Sequence, residues 1–159
     1  MKTMRRRRSR ELALIFLYQT EIRGESKSDI DTLLNSFWQE QNIQDEEIME
    51  FAGTLASGTL KNLALIDEKI SASAINWSIR RMPLLDKNIL RLAVFELLFI
   101  ESMPVLVSIN EAIELAKKYG ADDSPRFVNG VLHKIKEGIK EKEVDREGKS
   151  KTPMNSKGI

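Results

Sequence analysis

The chain has 159 residues, of which 42% are hydrophobic and 31% charged, and 25 Lys and Arg against 24 Asp and Glu leave a net charge of only +1. This length suits one folded domain, and the small net charge excludes a surface that is basic throughout, so any nucleic-acid site must be a local patch. The chain contains no cysteine, which excludes disulfides and thiolate catalysis and fits a cytoplasmic protein.

Apolar residues recur at spacings of three and four along most of the chain, which is the pattern of amphipathic helices, and no alternating strand pattern is found. The sequence therefore predicts an all-α domain of seven helices. Their predicted ranges are 5–22, 28–41, 45–61, 63–74, 84–101, 108–119 and 125–141.

The predicted helices are bounded by residues typical of helix ends. Gly24 follows the first helix, Ser28 can cap the second, and Pro83 precedes the fifth. The segment Ser-Ile-Asn-Glu at 108–111 has the form of a capping box, and Ser-Pro at 124–125 is typical of a cap followed by the first helical residue. We predict a folded domain over 1–142 and a charged, disordered tail over 143–159, where few residues could be buried.

Three glycines fall inside predicted helices, where each costs about 1 kcal/mol relative to alanine. For Gly53 and Gly58 we expect close packing of two helices. Close packing is also favoured for Gly130, and close approach of an RNA backbone is the alternative there.

Five arginines stand at the start of the first predicted helix: Arg5, Arg6, Arg7, Arg8 and Arg10. A helix N-terminus already carries about half a positive charge, so an exposed arginine there costs about 0.3–1 kcal/mol. We interpret the cluster as a phosphate-binding device, since guanidinium groups match phosphate geometry. On a helix, Arg6 and Arg10 share one face, and Arg7 is spaced to pair with Glu11. A solvated polar helix end is the simpler alternative.

A second candidate surface lies at the start of the last predicted helix. Backbone amides there can bind phosphate, Arg126 adds positive charge, and Phe127 can stack on a base. Phe127 fits a core position equally well, and Asn129 either reads a base edge or joins a network inside the bundle. The charge of Asp123 should oppose a nearby phosphate, so we expect this residue to lower RNA affinity.

The sequence offers little for catalysis. The single histidine, His133, has no acid or nucleophile at a telling spacing, and the paired carboxylates stand where helix dipoles favour negative charge. There is no glycine-rich phosphate loop and no cluster of metal ligands in the sequence. We expect a protein that is not an enzyme, with no cofactor, no metal, no small-molecule substrate and no membrane span.

Four segments carry a pattern whose order and spacing are specific. They are Arg-Arg-Arg-x-Arg-Glu-x-Ala at 6–13 followed by Leu-Tyr at 17–18, Trp-x-x-x-Arg at 77–81 leading into Leu-Asp-x-x-Ile-Leu-Arg-Leu-Ala-x-x-Glu-Leu at 85–97, Val-x-Ile-Asn-Glu-Ala-Ile-Glu-Leu-Ala-Lys at 107–117, and Phe-Val-Asn-Gly-Val-Leu at 127–132. In these segments the chain resembles the NusB family of transcription antitermination factors.

The resemblance implies an all-helical fold of two small bundles that share a core along the first helix. It also implies binding of the boxA element of nascent ribosomal RNA jointly with NusE, a small-subunit ribosomal protein, so that RNA polymerase reads through terminators. The residues expected to face RNA are Arg6, Arg7, Arg10, Arg126, Phe127 and Asn129, to which the arginine cluster adds Arg5. The residues expected to face NusE are Asp86, Arg91 and Glu96.

Two other functions fit the sequence. One is a helical adaptor whose arginines contact acidic groups of a protein partner, and the other is a ribosome-maturation factor that binds ribosomal RNA precursors. An RNA titration distinguishes the adaptor from the two RNA-binding functions.

Overall fold

The computed structural model describes residues 2–25 and 29–139, which form seven α-helices and one short 3-10 turn, with no β-strand in either range. The helices are α1 (Lys2–Arg23), α2 (Ile30–Glu40), α3 (Glu46–Lys61), α4 (Leu63–Ser73), α5 (Leu84–Phe99), α6 (Val105–Tyr119) and α7 (residues 124–139), and the 3-10 turn is Ile79–Arg81. The predicted all-α class is confirmed. Ser28 and the predicted tail at 143–159 lie outside the described residues, so the division of the chain at residue 142 stays a prediction.

Helix α5 lies at the centre of the fold. Each of its residues from Asp86 to Glu96 is buried, because α1, α3, α4 and α6 all pack against it. Helix α1 packs against both α3 and α5, and the hydroxyl of Ser9 donates a hydrogen bond of 3.0 Å to the carbonyl of Ile48. The buried apolar side chains form one core to which all seven helices contribute.

Helix α1 ends at a glycine turn and starts earlier than the sequence predicts. Gly24 adopts a φ of 67°, and the backbone N–H groups of Gly24 and Glu25 donate to the carbonyls of Glu21 and Thr20, which is a Schellman ending that favours glycine. The helix begins at Lys2 and not near residue 5. Arg7, Arg8 and Arg10 therefore lie beyond its first turn, where the helix dipole acts weakly, and the predicted electrostatic cost falls mainly on Arg5.

Aspartates cap the next two helices. The side chain of Asp29 accepts from the backbone N–H of Asp31, and that of Asp45 accepts from the N–H groups of Glu47 and Ile48. These bonds satisfy donors that have no partner within the helix. Pro83 precedes α5 as predicted.

The predicted capping box at 108–111 is wrong, because α6 begins a turn earlier, at Val105, directly after Pro104. Ser108 and Glu111 are therefore interior residues of the helix, and both are buried. Their side chains bond to other helices, Ser108 to Glu96 and Glu111 to Arg7.

Ser124 does not cap α7. The backbone carbonyl of Asp123 accepts the first helical hydrogen bond, from the N–H of Phe127, so the cap position falls on Asp123. The hydroxyl of Ser124 instead accepts from the N–H of Ala121 at 2.9 Å and donates to Asp86 at 2.7 Å. This side chain ties the α6–α7 turn to α5.

Close packing explains one of the three helical glycines. A Cβ on Gly58 would stand 2.1 Å from the ring of Phe95 on α5, which confirms the predicted close packing of two helices at this glycine. A Cβ on Gly53 or Gly130 would meet nothing within 4 Å, so close packing is the wrong interpretation for both. Approach of RNA to Gly130 stays a prediction.

Replacing Gly58 and Gly53 by Ala is expected to change stability in opposite directions. Gly58→Ala should lower the free energy of unfolding, since overpacking costs about 1–3 kcal/mol and outweighs the gain in helix propensity. Gly53→Ala should raise it by about 0.5–1 kcal/mol, because the new methyl group meets open space. Urea unfolding of both variants tests the pair, and equal effects would contradict the contact with Phe95.

Candidate nucleic-acid interface

The arginines of α1 divide into an exposed group and a buried one. Arg5, Arg7 and Arg8 are exposed, Arg6 is half-buried, and Arg10 is buried. Arg5 contacts Glu47 at 2.8 Å and Asp45 at 3.5 Å, and Arg8 contacts Glu11 at 3.4 Å. Exposed ion pairs such as those of Arg5 contribute about 0–1 kcal/mol, so a phosphate can replace Glu47 and Asp45 at little cost.

Arg6 lies over an aromatic ring. Its guanidinium carbon is 5.4 Å from the centre of the Phe51 ring, and one terminal nitrogen is 3.9 Å from the sulfur of Met103. An open groove of about 230 Å³ runs between α1 and α3 here. Its lining includes Lys2, Arg5, Arg6 and Phe51. The sequence did not predict Lys2 or Phe51 as part of this surface.

The structure buries Arg10, which was predicted to face RNA, and Glu96, which was predicted to face the partner. Their side chains are only 4% and 2% exposed, and they form a two-point ion pair with N···O distances of 2.9 and 2.8 Å. Ser108 donates to the same carboxylate at 3.0 Å. The anion that balances Arg10 is thus a carboxylate inside the protein, and neither side chain is available at the surface.

Asp86 and Arg91 are likewise used inside the fold and not on an exposed partner surface. Asp86 is 5% exposed and accepts the Ser124 hydroxyl. Arg91 is 9% exposed and makes two bonds of 2.8 and 2.9 Å to Asp67 and one of 3.3 Å to Glu21. These bonds join α5 to α4 and α1, so the prediction that the two residues face NusE is at odds with their burial.

The carboxylate of Glu21, on α1, binds three polar side chains of α5. Glu21 accepts from Lys87, Asn88 and Arg91, all on α5. Burial alone would raise the pKa of Glu21, but these hydrogen bonds and the positive charges outweigh it and lower the pKa. Glu21 therefore remains ionised and holds the end of α1 against α5.

The start of α7 presents Arg126 and Asn129 to solvent, whereas Phe127 is half-buried. The Phe127 ring packs on the core and meets the exposed ring of Trp77 edge to face, with 6.1 Å between centres. Asp123, at the cap, is exposed. Phe127 is thus partly a core residue, as one of its two interpretations predicted, and its contact with RNA stays a prediction.

The two candidate surfaces lie towards opposite ends of α5. Arg10 meets Glu96 and Ser124 meets Asp86, and ten helical residues between these contacts correspond to about 15 Å. The contacts of Arg10 with Glu96 and of Glu21 with Asn88 show that α1 and α5 run antiparallel. A ligand that contacts both surfaces must therefore be extended.

Arg7 and Glu11 do not form the predicted pair. Glu11 accepts from Lys118 at 3.0 Å and from Tyr119 at 3.1 Å, whereas Arg7 bonds to Glu111 at 3.0 and 3.2 Å. The hydrogen bond and charge of Glu111 raise the pKa of Arg7 above its usual value, so this side chain is always cationic. Both sets of contacts fasten α1 to α6.

The stability of the wild type relative to Asp86→Asn is expected to fall as the pH rises. Burial raises the pKa of Asp86, the Ser124 hydrogen bond opposes this, and the charge of Asp123 adds to it. The native carboxyl therefore holds its proton more tightly than the unfolded one, and the stability gained from that proton disappears as the pH rises from about 3.9 through the raised pKa. Asn keeps an acceptor for Ser124 but does not ionise. Urea unfolding of both proteins across this pH range measures the difference, and a constant difference would contradict the raised pKa.

The part of the chain that the structure describes contains no helix long and apolar enough to cross a membrane, and no group of three acidic or histidine residues arranged to hold a metal ion. The fold and the exposed arginines of α1 define an all-helical binding module with a local basic surface.

Comparison with known proteins gives the family. The chain matches the NusB family over residues 7–137. A transcription antitermination protein NusB from Anaeromyxobacter dehalogenans is 47% identical over 137 residues, covering 86% of this chain and 94% of that protein. Another from Desulfitobacterium hafniense is 42% identical over 140 residues, covering 88% and 93%. The chain therefore belongs to the NusB family of transcription antitermination proteins, which confirms the resemblance seen in the sequence.

Solved structures agree with this assignment. The structure of T. maritima NusB is similar, with a TM-score of 0.73 at 40% sequence identity. The match covers 82% of this chain and 89% of that chain. A crystal structure of antitermination factors NusB and NusE in complex with dsRNA is similar with a TM-score of 0.75 at 30% identity, covering 85% and 98%.

Proposed function

We propose that this protein is an RNA-binding transcription antitermination factor that binds the boxA element of nascent ribosomal RNA jointly with NusE and supports read-through by RNA polymerase. The observation that carries the proposal is the row of arginines on α1, of which Arg5, Arg6, Arg7 and Arg8 retain exposed surface. The similar structure with NusE and dsRNA supports both kinds of partner. The protein acts by binding, without catalysis, and works in the cytoplasm, where RNA is transcribed.

The proposed RNA surface combines the exposed side of α1 with the start of α7. Arg5, Arg6 and Arg7 contact phosphates, and Arg126, Phe127 and Asn129 contact the strand beyond them. Arg10 is left out because it is buried. Base edges reached by Asn129 supply sequence choice, and the arginines set the position of the strand.

The small number of phosphate contacts explains why a partner is needed. Three to five contacts on a protein of nearly zero net charge give modest affinity, which falls by about 0.7 log units per contact for each tenfold increase in salt. A second protein that holds the same strand raises the effective concentration of RNA at this surface without new contacts. Because Asp86, Arg91 and Glu96 are buried, we expect NusE to contact other residues.

Fluorescence anisotropy with labelled RNA tests the proposal. The probes are a boxA-containing single strand, a scrambled strand of equal length and a duplex, each titrated with and without NusE across a salt series. We expect the boxA strand to bind more tightly than the scrambled strand, and NusE to strengthen only that binding. Equal affinity for all three probes would mean a nonspecific phosphate patch, and no binding to any of them would favour a helical adaptor.

Asp123→Asn is expected to strengthen RNA binding by about twofold to fivefold at low salt, since it removes one exposed carboxylate beside Arg126. The control is Asp31→Asn, which removes the same charge from the exposed start of α2. The two variants are compared in the boxA titration. If Asp123→Asn behaves like the control, the strand does not pass the start of α7.

A further inference from the structure

The ion pair between Arg7 and Glu111 is unequal in exposure. The Glu111 side chain on α6 is only 11% exposed, whereas that of Arg7 on α1 is 54% exposed. The carboxylate is thus built into the α1–α6 contact, and the guanidinium extends from it towards solvent.

The hydrogen bonds of this pair use only part of the arginine. Both carboxylate oxygens accept from the same atom, Arg7 Nε, at 3.2 and 3.0 Å. A guanidinium has five N–H donors, so the four on its two terminal nitrogens remain for another acceptor. Two of them form the fork that matches the oxygens of a phosphate. A phosphate can therefore bind Arg7 while Glu111 keeps its own bonds.

Arg5 shows the opposite arrangement. Its terminal nitrogen NH1 bonds to Glu47 at 2.8 Å, and the Glu47 side chain is 70% exposed. A phosphate that takes the N–H bonded to Glu47 must displace this carboxylate. Carboxylates beside arginines therefore divide into those that compete with RNA and those that orient the arginine.

We infer that Glu111 is a positioning residue for RNA, because it holds the Arg7 side chain with its terminal N–H groups directed outward before the strand arrives. This inference rests on the proposed function. Binding an unrestrained arginine requires its side chain to be ordered, and a side chain that is already held avoids that loss of entropy. Glu111 also carries a negative charge that weakens attraction for RNA at long range. When Glu111 is removed, the loss of positioning should lower RNA affinity, whereas the loss of the negative charge should raise it.

The affinities of three variants for the boxA strand separate these effects. Glu111→Ala removes the charge and the acceptor, and it should weaken binding by about threefold to tenfold. Glu111→Gln removes the charge but keeps an oxygen for Arg7 Nε, so its affinity should equal or exceed that of the wild type. Glu114→Gln is the matched control, because this exposed carboxylate on the same helix acts on Arg7 through charge and not through a hydrogen bond. Its affinity should rise slightly.

Two further measurements exclude a merely structural role. In an Arg7→Ala background, Glu111→Ala should no longer weaken RNA binding, since there is no side chain left to position and only the removal of a negative charge remains. In the wild type, the Nε–H proton of Arg7, assigned by NMR with the Arg7→Ala variant, should exchange slowly with water both before and after RNA is added. This NMR measurement on the wild type does not depend on whether Glu111→Ala folds.

Each outcome decides the inference. Tighter binding by Glu111→Ala, or loss of the protected Nε–H signal when RNA binds, would make Glu111 a competitor and overturn the proposal. Absence of RNA binding by the wild type would instead overturn the proposed function. Weaker binding by Glu111→Ala with recovery in Glu111→Gln supports the positioning role.

Discussion

Glu96→Ala is expected to lower the free energy of unfolding by about 3–5 kcal/mol, which is a large part of the 5–15 kcal/mol typical of a domain. The variant leaves the guanidinium of Arg10 buried without its carboxylate, and the hydroxyl of Ser108 loses its acceptor. A buried charge without a partner cannot recover its hydration, so most of the loss is the cost of that charge. Urea unfolding followed by circular dichroism measures the change.

Two controls separate this effect from the loss of an ordinary ion pair. Glu47→Ala removes the exposed partner of Arg5 and should cost less than about 1 kcal/mol. The double variant Arg10→Met with Glu96→Leu should recover most of the lost stability, because no unpaired charge remains. A cost for Glu96→Ala as small as that for Glu47→Ala would show that Arg10 reaches water in the native state.

The helices could be predicted because apolar spacing is a local property of the sequence. The start of α6 could not, since Ser108 and Glu111 have the form of a cap but bond to other helices. Pro104 was the better signal, as proline favours the entry to a helix over its interior. Only a few residues indicate where a helix begins, and those residues can instead form hydrogen bonds to other helices.

The arginines lie on the first helix as the sequence predicted, but the sequence reasoning did not separate the exposed ones from the buried Arg10. Arg10 stands three, four and seven residues before Ala13, Leu14 and Leu17, all of which are buried, so the apolar spacing already placed it on the inward face of α1. The sequence alone could not name its partner, because Glu96 lies 86 residues away. The burial of Arg10 is explained only by the fold, which places Glu96 beside it.

The polar residues of α5 show the same limit. Asp86, Arg91 and Glu96 interrupt an apolar run, and their spacing of five residues places them on different sides of α5 and not on one polar face. In the fold, α5 is surrounded by other helices, and each of these residues meets a polar partner on α7, α4 or α1. A partner surface predicted from such residues is unreliable where the helix is central.

The combined replacement of Arg6 and Arg7 by Ala is expected to weaken binding of the boxA strand on the order of a hundredfold at low salt, if each loses one charged hydrogen bond of about 1.5 kcal/mol or more. The slope of log affinity against log salt should become shallower by roughly 1.4, since each phosphate contact to a single strand contributes about 0.7. Helical content should be unchanged because the buried stripe of α1 is intact. Stability should fall somewhat, because Glu111 loses Arg7.

The matched control for this double variant is Arg23→Ala. Arg23 is an exposed arginine at the other end of α1, and the 16 residues that separate it from Arg7 span about 24 Å, well beyond the screening length of about 8–10 Å. Removing it changes the net charge without touching the arginines at the start of α1, so affinity and salt slope should fall much less than in the double variant. If the double variant, which removes two charges, loses only about twice as much log affinity as the control, which removes one, the arginines act only through total charge, and the strand has no fixed position on α1. A shallower slope confined to the double variant would instead assign the lost phosphate contacts to Arg6 and Arg7.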